Sequence, residues 1–197
     1  MSLSDRSNST DFASQDDSSR VDLGTYCNRE YDPGGGSLVR TLWYYVSLLV
    51  FESGWLPFNG LKVWLLRRFG AKLGTGMRIK PHVRIKYPWR LSAGDHCWIG
   101  QEVWIDNLAD VELGSHVCLS QRVYLCTGSH DHRSAGFELI TGPIRIENGA
   151  WLGAGCLIVC GITVAANALV AGGSVVTKDV PPATIVGGNP AKPIGPR

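Results

Sequence analysis

Aliphatic residues return along this chain with a period of six. The second half keeps that period without a slip, at Ile146, Leu152, Ile158, Val164, Val170 and Val176. Four residues after each of the first five stands a small or aliphatic residue: Ala150, Cys156, Ile162, Ala168 and Ser174. Upstream, three stretches align at a spacing of 20, beginning Leu73-Gly74-Thr75, Ala93-Gly94-Asp95 and Leu113-Gly114-Ser115. Aliphatics then follow at Ile79 and Ile85, at Ile99 and Ile105, and at Leu119 and Leu125. A helix returns its stripe at about 3.6 residues and a half-buried strand at about 2, so six fits neither. Six residues make one short strand plus a corner, and three such units close a triangular coil of about 18 residues. The spacing of 20 is that coil with extra residues at a corner. The pattern therefore predicts an all-β protein, a parallel β-helix with its anchor aliphatics inward and its coils about 4.8 Å apart. No hexad can bury its apolar side alone, but stacked coils share one core. Gly74, Gly94, Gly114 and Gly153 follow the anchors, where a tight corner with positive φ is expected.

The period breaks once. Coils begin at 73, 93, 113, 146 and 164, and the step from 113 to 146 carries the excess. The extra residues predict a protruding loop, 131–143, which starts at His130 and contains His132. Loops on rigid scaffolds are where function concentrates. Ahead of the coils the pattern changes twice. Residues 1–35 read as a disordered polar tail ending at Asp32-Pro33-Gly34-Gly35-Gly36. Residues 36–70 read as a short helical segment. Its run from Leu38 to Phe51 is almost wholly apolar, and a basic amphipathic helix follows at Leu61–Phe69. That segment suits a cap over the open first coil, which solenoids need, or peripheral membrane attachment through aromatics and Lys62, Arg67 and Arg68. Residues 71–197 form the β-helix domain with the loop and a C-terminal extension.

Composition changes this picture little. Residues 148–177 carry no charge, enough to imitate a membrane span by length. Five Gly within 150–176 and an unbroken six-residue period argue against one. The net charge of +2 gives no field for a nucleic acid. Six scattered Cys show no metal spacing and read mostly as small buried hydrophobes in a reducing compartment. The Ser- and Asp-rich start lacks an apolar core, so no secretory leader is expected. A cytoplasmic setting follows, at the inner membrane face if the aromatic segment docks there.

Several motifs carry a resemblance: Thr127-Gly128-Ser129-His130, Trp151-Leu152-Gly153-Ala154-Gly155, and Gly172-Gly173-Ser174 running through Thr177-Lys178 to Asn189-Pro190-Ala191-Lys192. They resemble hexapeptide-repeat acetyltransferases, the left-handed β-helix enzymes related to galactoside, maltose and nodulation-factor O-acetyltransferases. Ile85-Lys86-Tyr87-Pro88-Trp89, with Trp104-Ile105-Asp106-Asn107 and the His130 loop, narrows the resemblance to colanic-acid-type polysaccharide O-acetyltransferases. It covers about residues 36–197. It implies a left-handed coil, a homotrimer, and direct transfer from acetyl-CoA to a sugar hydroxyl with no acyl-enzyme and no metal. It further implies His130 as general base, with Asn107, Asp106 and His132 on the acceptor side. The acceptor would be a sugar or lipid-linked oligosaccharide of exopolysaccharide synthesis. Trp151 would line the pantetheine channel, the backbone N–H of Ala154 would face the oxyanion, Gly172 would admit the cofactor arm, and Thr177, Lys178 and Lys192 would contact coenzyme A.

The residue types suit that chemistry. A hydroxyl is a poor nucleophile at neutral pH, and a neutral His can take its proton as it attacks. A developing oxyanion needs a fixed donor. Lys suits phosphates. Asp106 and Asn107 also suit plain corner chemistry, since both favour turns, and His82, His96 and His116 fall on repeat positions or corners and read as structural. Other functions share the scaffold: transfer to serine or an amino sugar, a non-catalytic binding module, and a zinc carbonic anhydrase. The last needs converging His ligands, and the closely spaced His pair on a coil face is missing from this sequence.

Overall fold

The computed structural model describes residues 21–197. Residues 1–20, and with them most of the expected tail, lie outside the described residues. From Lys72 the chain winds through short strands that stack into three parallel sheets. The first face holds Lys72–Leu73, Leu91–Ala93, Val111–Leu113, Ile144–Ile146 and Thr163–Val164. The second holds Arg78–Ile79, Trp98–Ile99, Cys118–Leu119, Trp151–Leu152 and Leu169–Val170, continued by Thr184–Gly188. The third holds Arg84–Ile85, Trp104–Asp106, Tyr124–Cys126, Leu157–Ile158 and Val175–Val176. The chain closes with an antiparallel strand, Ala191–Pro196, against Thr184–Gly188.

The register explains the sequence period. Ile79 pairs with Ile99, Ile99 with Leu119, Leu119 with Leu152 and Leu152 with Val170. One inward column thus collects one anchor per coil, and nearly every anchor is buried. The strands on either side of the insertion still pair, Val111 with Ile144 and Leu113 with Ile146, so the loop leaves the stack undisturbed.

The corners correct one expectation. Gly74, Gly94, Gly114 and Gly153 do not have positive φ. Each is required because the coils stack closely: a Cβ there would lie 2.6–2.7 Å from backbone atoms of the next coil. Positive φ falls instead on Gly76, Gly149, Gly155, Gly161 and Gly173, and on His82, His96, His116 and Asn167. His and Asn are among the side chains that tolerate the left-handed region best. His96 and His116 stack in successive coils at 5.3 Å.

Helix α1 (Ser37–Val46), a π-helical turn (Ser47–Glu52) and helix α2 (Asn59–Arg68) cover the start of the first coil. Trp43, Phe51 and Leu66 are buried and join the solenoid core. Trp43 Nε1 donates to the carbonyl of Ile85 at 2.9 Å. The outward surface is apolar: Leu38 is 84% exposed, and Leu42, Tyr45, Leu49, Trp55 and Trp64 are exposed as well. No helix among the described residues is long and apolar enough to cross a membrane. Lys62 departs from its expected place on the basic face. It is 1% exposed, with Nζ 3.4 Å from the carbonyl of Lys80. Burial lowers its pKa. Arg67 donates to the carbonyls of Leu73 and Gly74, capping the first coil, and it and Arg68 are both exposed.

Residues 21–35 also differ from the expected tail, because specific contacts fix them to the coils. Asp22 N–H donates to the carbonyl of Ala135 and Tyr31 Oη to that of Leu108, both at 2.9 Å. Trp89 Nε1 donates to the carbonyl of Pro33 and Arg90 Nη2 to that of Asp32. Burial, aided by Tyr87, pushes the Tyr31 phenol up to about 12, so it stays a neutral donor. Cysteines are less buried than expected. Cys97 and Cys156 are buried, Cys118, Cys126 and Cys160 half-buried and Cys27 exposed. All six are free thiols.

Candidate active site

The insertion leaves the solenoid at the corner between the third and first faces. It opens as a hairpin, Gly128–His130 antiparallel to Leu139–Thr141, with His130 opposite Leu139. The hairpin fixes His130 on three sides. Its Nδ1 lies 2.8 Å from the carbonyl oxygen of Phe137. A carbonyl can only accept, so Nδ1 carries the proton and Nε2 of the neutral ring keeps its lone pair. The Phe137 ring stacks on the imidazole at 4.4 Å and 4°. Tyr26 approaches from the N-terminal strap, 5.6 Å away and tilted. His132, in the same loop, is exposed.

Behind the hairpin, the acceptor-side candidates separate. Asn107 is fully buried, and its side-chain amide bonds both the N–H and the carbonyl of Tyr87 in the coil above, at 2.9 and 2.6 Å. That is the corner role. Each polar end holds Tyr87 by one bond, so Asn107 ties the two coils together at the foot of the hairpin. Asp106 has two partners: its Oδ2 accepts from Tyr124 Oη at 3.2 Å, and its buried Oδ1 lies 3.0 Å from Lys86 Nζ in an ion pair. Burial first, then Cys126 and Asp106, raises the pKa of Tyr124 well above its ordinary value.

The donor-side residues form two groups. Trp151 sits exposed on the second face, its Nε1 donating to Ser120 Oγ at 2.9 Å. Ala154 follows at the corner between the second and third faces, stacked against Gly172 of the next coil. A Cβ on Gly172 would lie 3.2 Å from the carbonyl oxygen of Ala154. The second group lies at the C-terminal end of the solenoid. Thr177, Lys178 and Lys192 line one cavity of about 350 Å³, walled by Pro181, Val186 and Pro193. Two ammonium groups beside an apolar slot fit a phosphate-bearing nucleotide.

Within one chain these parts do not converge. His130 projects from the corner that ends the third face, whereas Ala154 and Gly172 occupy the corner that begins it. Among the described residues, no three His, Cys, Asp or Glu side chains come together as metal ligands. Sequence reasoning missed Tyr26, Phe137 and Ser120. Nothing local marks them, because each acts through a partner distant in sequence or through its backbone.

Known proteins resemble the chain over most of its length. No family model matches the chain. WcaF of Escherichia coli (strain K12), named for acetyl transfer in colanic acid biosynthesis, is 38% identical over 160 residues, which is 80% of this chain and 87% of that protein. The chain belongs to the colanic-acid-type hexapeptide-repeat acetyltransferases. Nodulation protein L of Rhizobium meliloti (strain 1021) is 34% identical over 131 residues, 64% of this chain and 71% of that one. Among solved structures, a hexapeptide-repeat acetyltransferase of Vibrio cholerae O1 biovar eltor, VCA0836, was determined in complex with acetyl coenzyme A. It superimposes with a TM-score of 0.74 at 28% identity, over 85% of this chain and 94% of that chain. Membership makes this protein an acetyltransferase.

Proposed function

We propose that the protein transfers an acetyl group from acetyl-CoA to a hydroxyl of a sugar bound for a surface polysaccharide. The observation that carries the reading is the contact of His130 Nδ1 with the Phe137 carbonyl at 2.8 Å: with Nδ1–H donating there, Nε2 of the neutral ring is the proton acceptor. His130 takes the hydroxyl proton, the hydroxyl oxygen bonds to the thioester carbonyl carbon, and the C–S bond breaks, the sulfur taking up that proton so that coenzyme A leaves as the thiol. The Ala154 N–H donates to the carbonyl oxygen as it gains charge. Thr177, Lys178 and Lys192 hold the nucleotide end, and Trp151 lies along the arm between.

The separation of His130 from Ala154 supports a shared site. In a homotrimer, the hairpin corner of one chain meets the Ala154 corner of its neighbour, and each site draws on two chains. The exposed apolar face of α1 and α2 supports peripheral contact with a membrane, where a lipid-linked acceptor resides. Radiolabelled acetyl-CoA with lipid-linked oligosaccharides tests the reaction: label enters the oligosaccharide with the wild type and not with His130→Ala. Flotation with vesicles tests the membrane contact. The wild type floats, and the Leu42→Ser/Leu49→Ser variant stays in the soluble fraction. A wild type that never floats would reduce the helical segment to a cap.

A further inference from the structure

The acetyl-transfer reading leaves unused a cavity of about 640 Å³ where α2 meets the second face. That volume is within the range of small-ligand sites. Its wall is basic. Lys62 comes from α2, Arg78 and Lys80 from the first coil, and His96 from a corner of the second. Among the described residues, no Asp or Glu lines it, and the ion pairs all lie elsewhere. Asp95, next to His96, is engaged by the coil before it: its Oδ1 accepts from the N–H and the hydroxyl of Thr75 at 2.6 and 2.9 Å. The Arg78 guanidinium lies 5.1 Å over the Trp98 ring, a neutral partner. Three cations thus share the cavity, and none of its lining residues supplies the opposite charge.

Lys62 is the group that most needs an anion. It is buried, and its ammonium carries three donors but has one acceptor, the Lys80 carbonyl at 3.4 Å. A buried charge is costly unless it is paired. The helix makes matters worse. Lys62 stands in the first turn of α2, at the positive end of the helix dipole, where a cation is unfavourable. No side chain caps that end of the helix, and both ends of the Asn59 amide are spent on Met77 and Ile79 in the first coil. Cation and uncapped helix start therefore stand together. A phosphate in the cavity would accept from the ammonium and lie at the end of the helix that favours negative charge.

We propose that this cavity binds the headgroup phosphate of an anionic phospholipid. Lys62, Arg78 and Lys80 hold the phosphate through charge-assisted hydrogen bonds. The surroundings select a lipid over a free phosphate. Phe58 stands between the lining residues Pro57 and Asn59, and Leu61 beside Lys62; both are exposed, as is Trp64 one turn further on. Apolar and aromatic side chains next to basic ones are the composition of an element lying in a membrane interface. Acyl chains would cover Phe58, Leu61 and Trp64, which a free phosphate leaves in water. The phospholipid is a docking ligand and not the acceptor, because the cavity shares no residue with the donor or acceptor side. The inference rests on the membrane contact proposed above for the approach of the lipid, and it names the headgroup charge that the contact reads.

Calorimetry on the full-length protein tests it with dihexanoyl phosphatidylglycerol, kept below the concentration at which it forms micelles. Dihexanoyl phosphatidylcholine and inorganic phosphate are the counterparts. Phosphatidylglycerol is expected to bind about 10-fold tighter than either. Lys62→Met is expected to weaken that binding about 10- to 100-fold, the worth of a hydrogen bond to a charged group. Lys80→Gln should weaken it as well, and because Lys80 is exposed the substitution leaves the core untouched; thermal melting of both variants confirms that they fold. Arg68→Gln removes an exposed cation of α2 outside the cavity and should leave the affinity unchanged. Equal affinity for the two lipids overturns the proposal. So does unchanged affinity in both Lys62→Met and Lys80→Gln, or an equal loss in Arg68→Gln, which is the mark of a diffuse field. Inorganic phosphate binding as tightly as the lipid overturns it too, by assigning a free anion. The Leu42→Ser/Leu49→Ser variant keeps the two readings apart, since it should leave this soluble binding unchanged. A wild type that never floats with vesicles but binds phosphatidylglycerol through Lys62 loses the membrane contact and keeps the headgroup site. A wild type that floats equally with phosphatidylcholine vesicles with or without phosphatidylglycerol keeps the contact and loses the site.

Discussion

The His130–Phe137 unit gives the sharpest expectation. Two perturbations separate the base from its support. His130→Ala removes the proton acceptor and should lower kcat by about 10²- to 10⁴-fold, the usual share of a general base. Phe137→Ala keeps the backbone carbonyl 2.8 Å from Nδ1 and removes only the ring stacked at 4.4 Å. An aromatic pair is worth about 0.5–1.5 kcal/mol. At 1.4 kcal/mol per decade, loss of the stack should cost about 2- to 12-fold in activity. Release of coenzyme A thiol from acetyl-CoA, followed in the presence of acceptor, reads both variants. His130→Ala within about threefold of wild type would refute the role and leave His130 as a hairpin anchor.

Three further outcomes follow from the same structure. Lys178→Ala/Lys192→Ala should raise KM for acetyl-CoA about 10-fold or more while KM for the acceptor changes little, because each lost charged hydrogen bond costs on the order of 1.5–3 kcal/mol; unchanged coenzyme A binding by calorimetry would contradict the assignment. Lys62→Met should raise Tm at neutral pH. The folded pKa of Lys62 is depressed by burial, so the unfolded chain holds more protons and wild-type stability climbs with pH through the window below the ordinary lysine value. The advantage of the variant should therefore shrink as pH rises, which melting at several pH values checks. Gly153→Ala should destabilise by about 1–3 kcal/mol, since its Cβ would lie 2.6 Å from Gly172 N and 2.8 Å from the Val170 carbonyl oxygen; a melting point equal to wild type would mean that the coils can spread there.

The solenoid was legible because its cause is local and repeated. Every coil places the same kind of residue at the same inward position, so Leu119, Leu152 and Val170 announce their stacking without any knowledge of the rest. The break after Leu125 was equally plain, and so was the His at its edge. What was hidden depends on contacts distant in sequence. Tyr26 meets His130 across 104 residues, and nothing in a polar Asp- and Ser-rich start marks one aromatic as a neighbour of the hairpin. Lys62 reads as a solvated charge beside Arg67 and Arg68, but α2 turns it toward the first coil. Asn107 suits both readings as a residue type, and its two bonds to Tyr87 reach a residue 20 positions away in the neighbouring coil. The glycines after the anchors were rightly placed at corners for the wrong reason: the constraint is the neighbouring coil, not φ.

The account is tested most directly by the chemical identity of the product. Acetyl-CoA labelled in the acetyl group, a panel of lipid-linked oligosaccharides and the wild-type protein should yield a singly acetylated saccharide. Mass spectrometry should place the label on a sugar oxygen, and mild alkali should remove it as an ester does. His130→Ala should give no such product. Label on nitrogen, stable to alkali, or no labelled saccharide from any member of the panel, would contradict O-acetyl transfer to a sugar as the function of this chain.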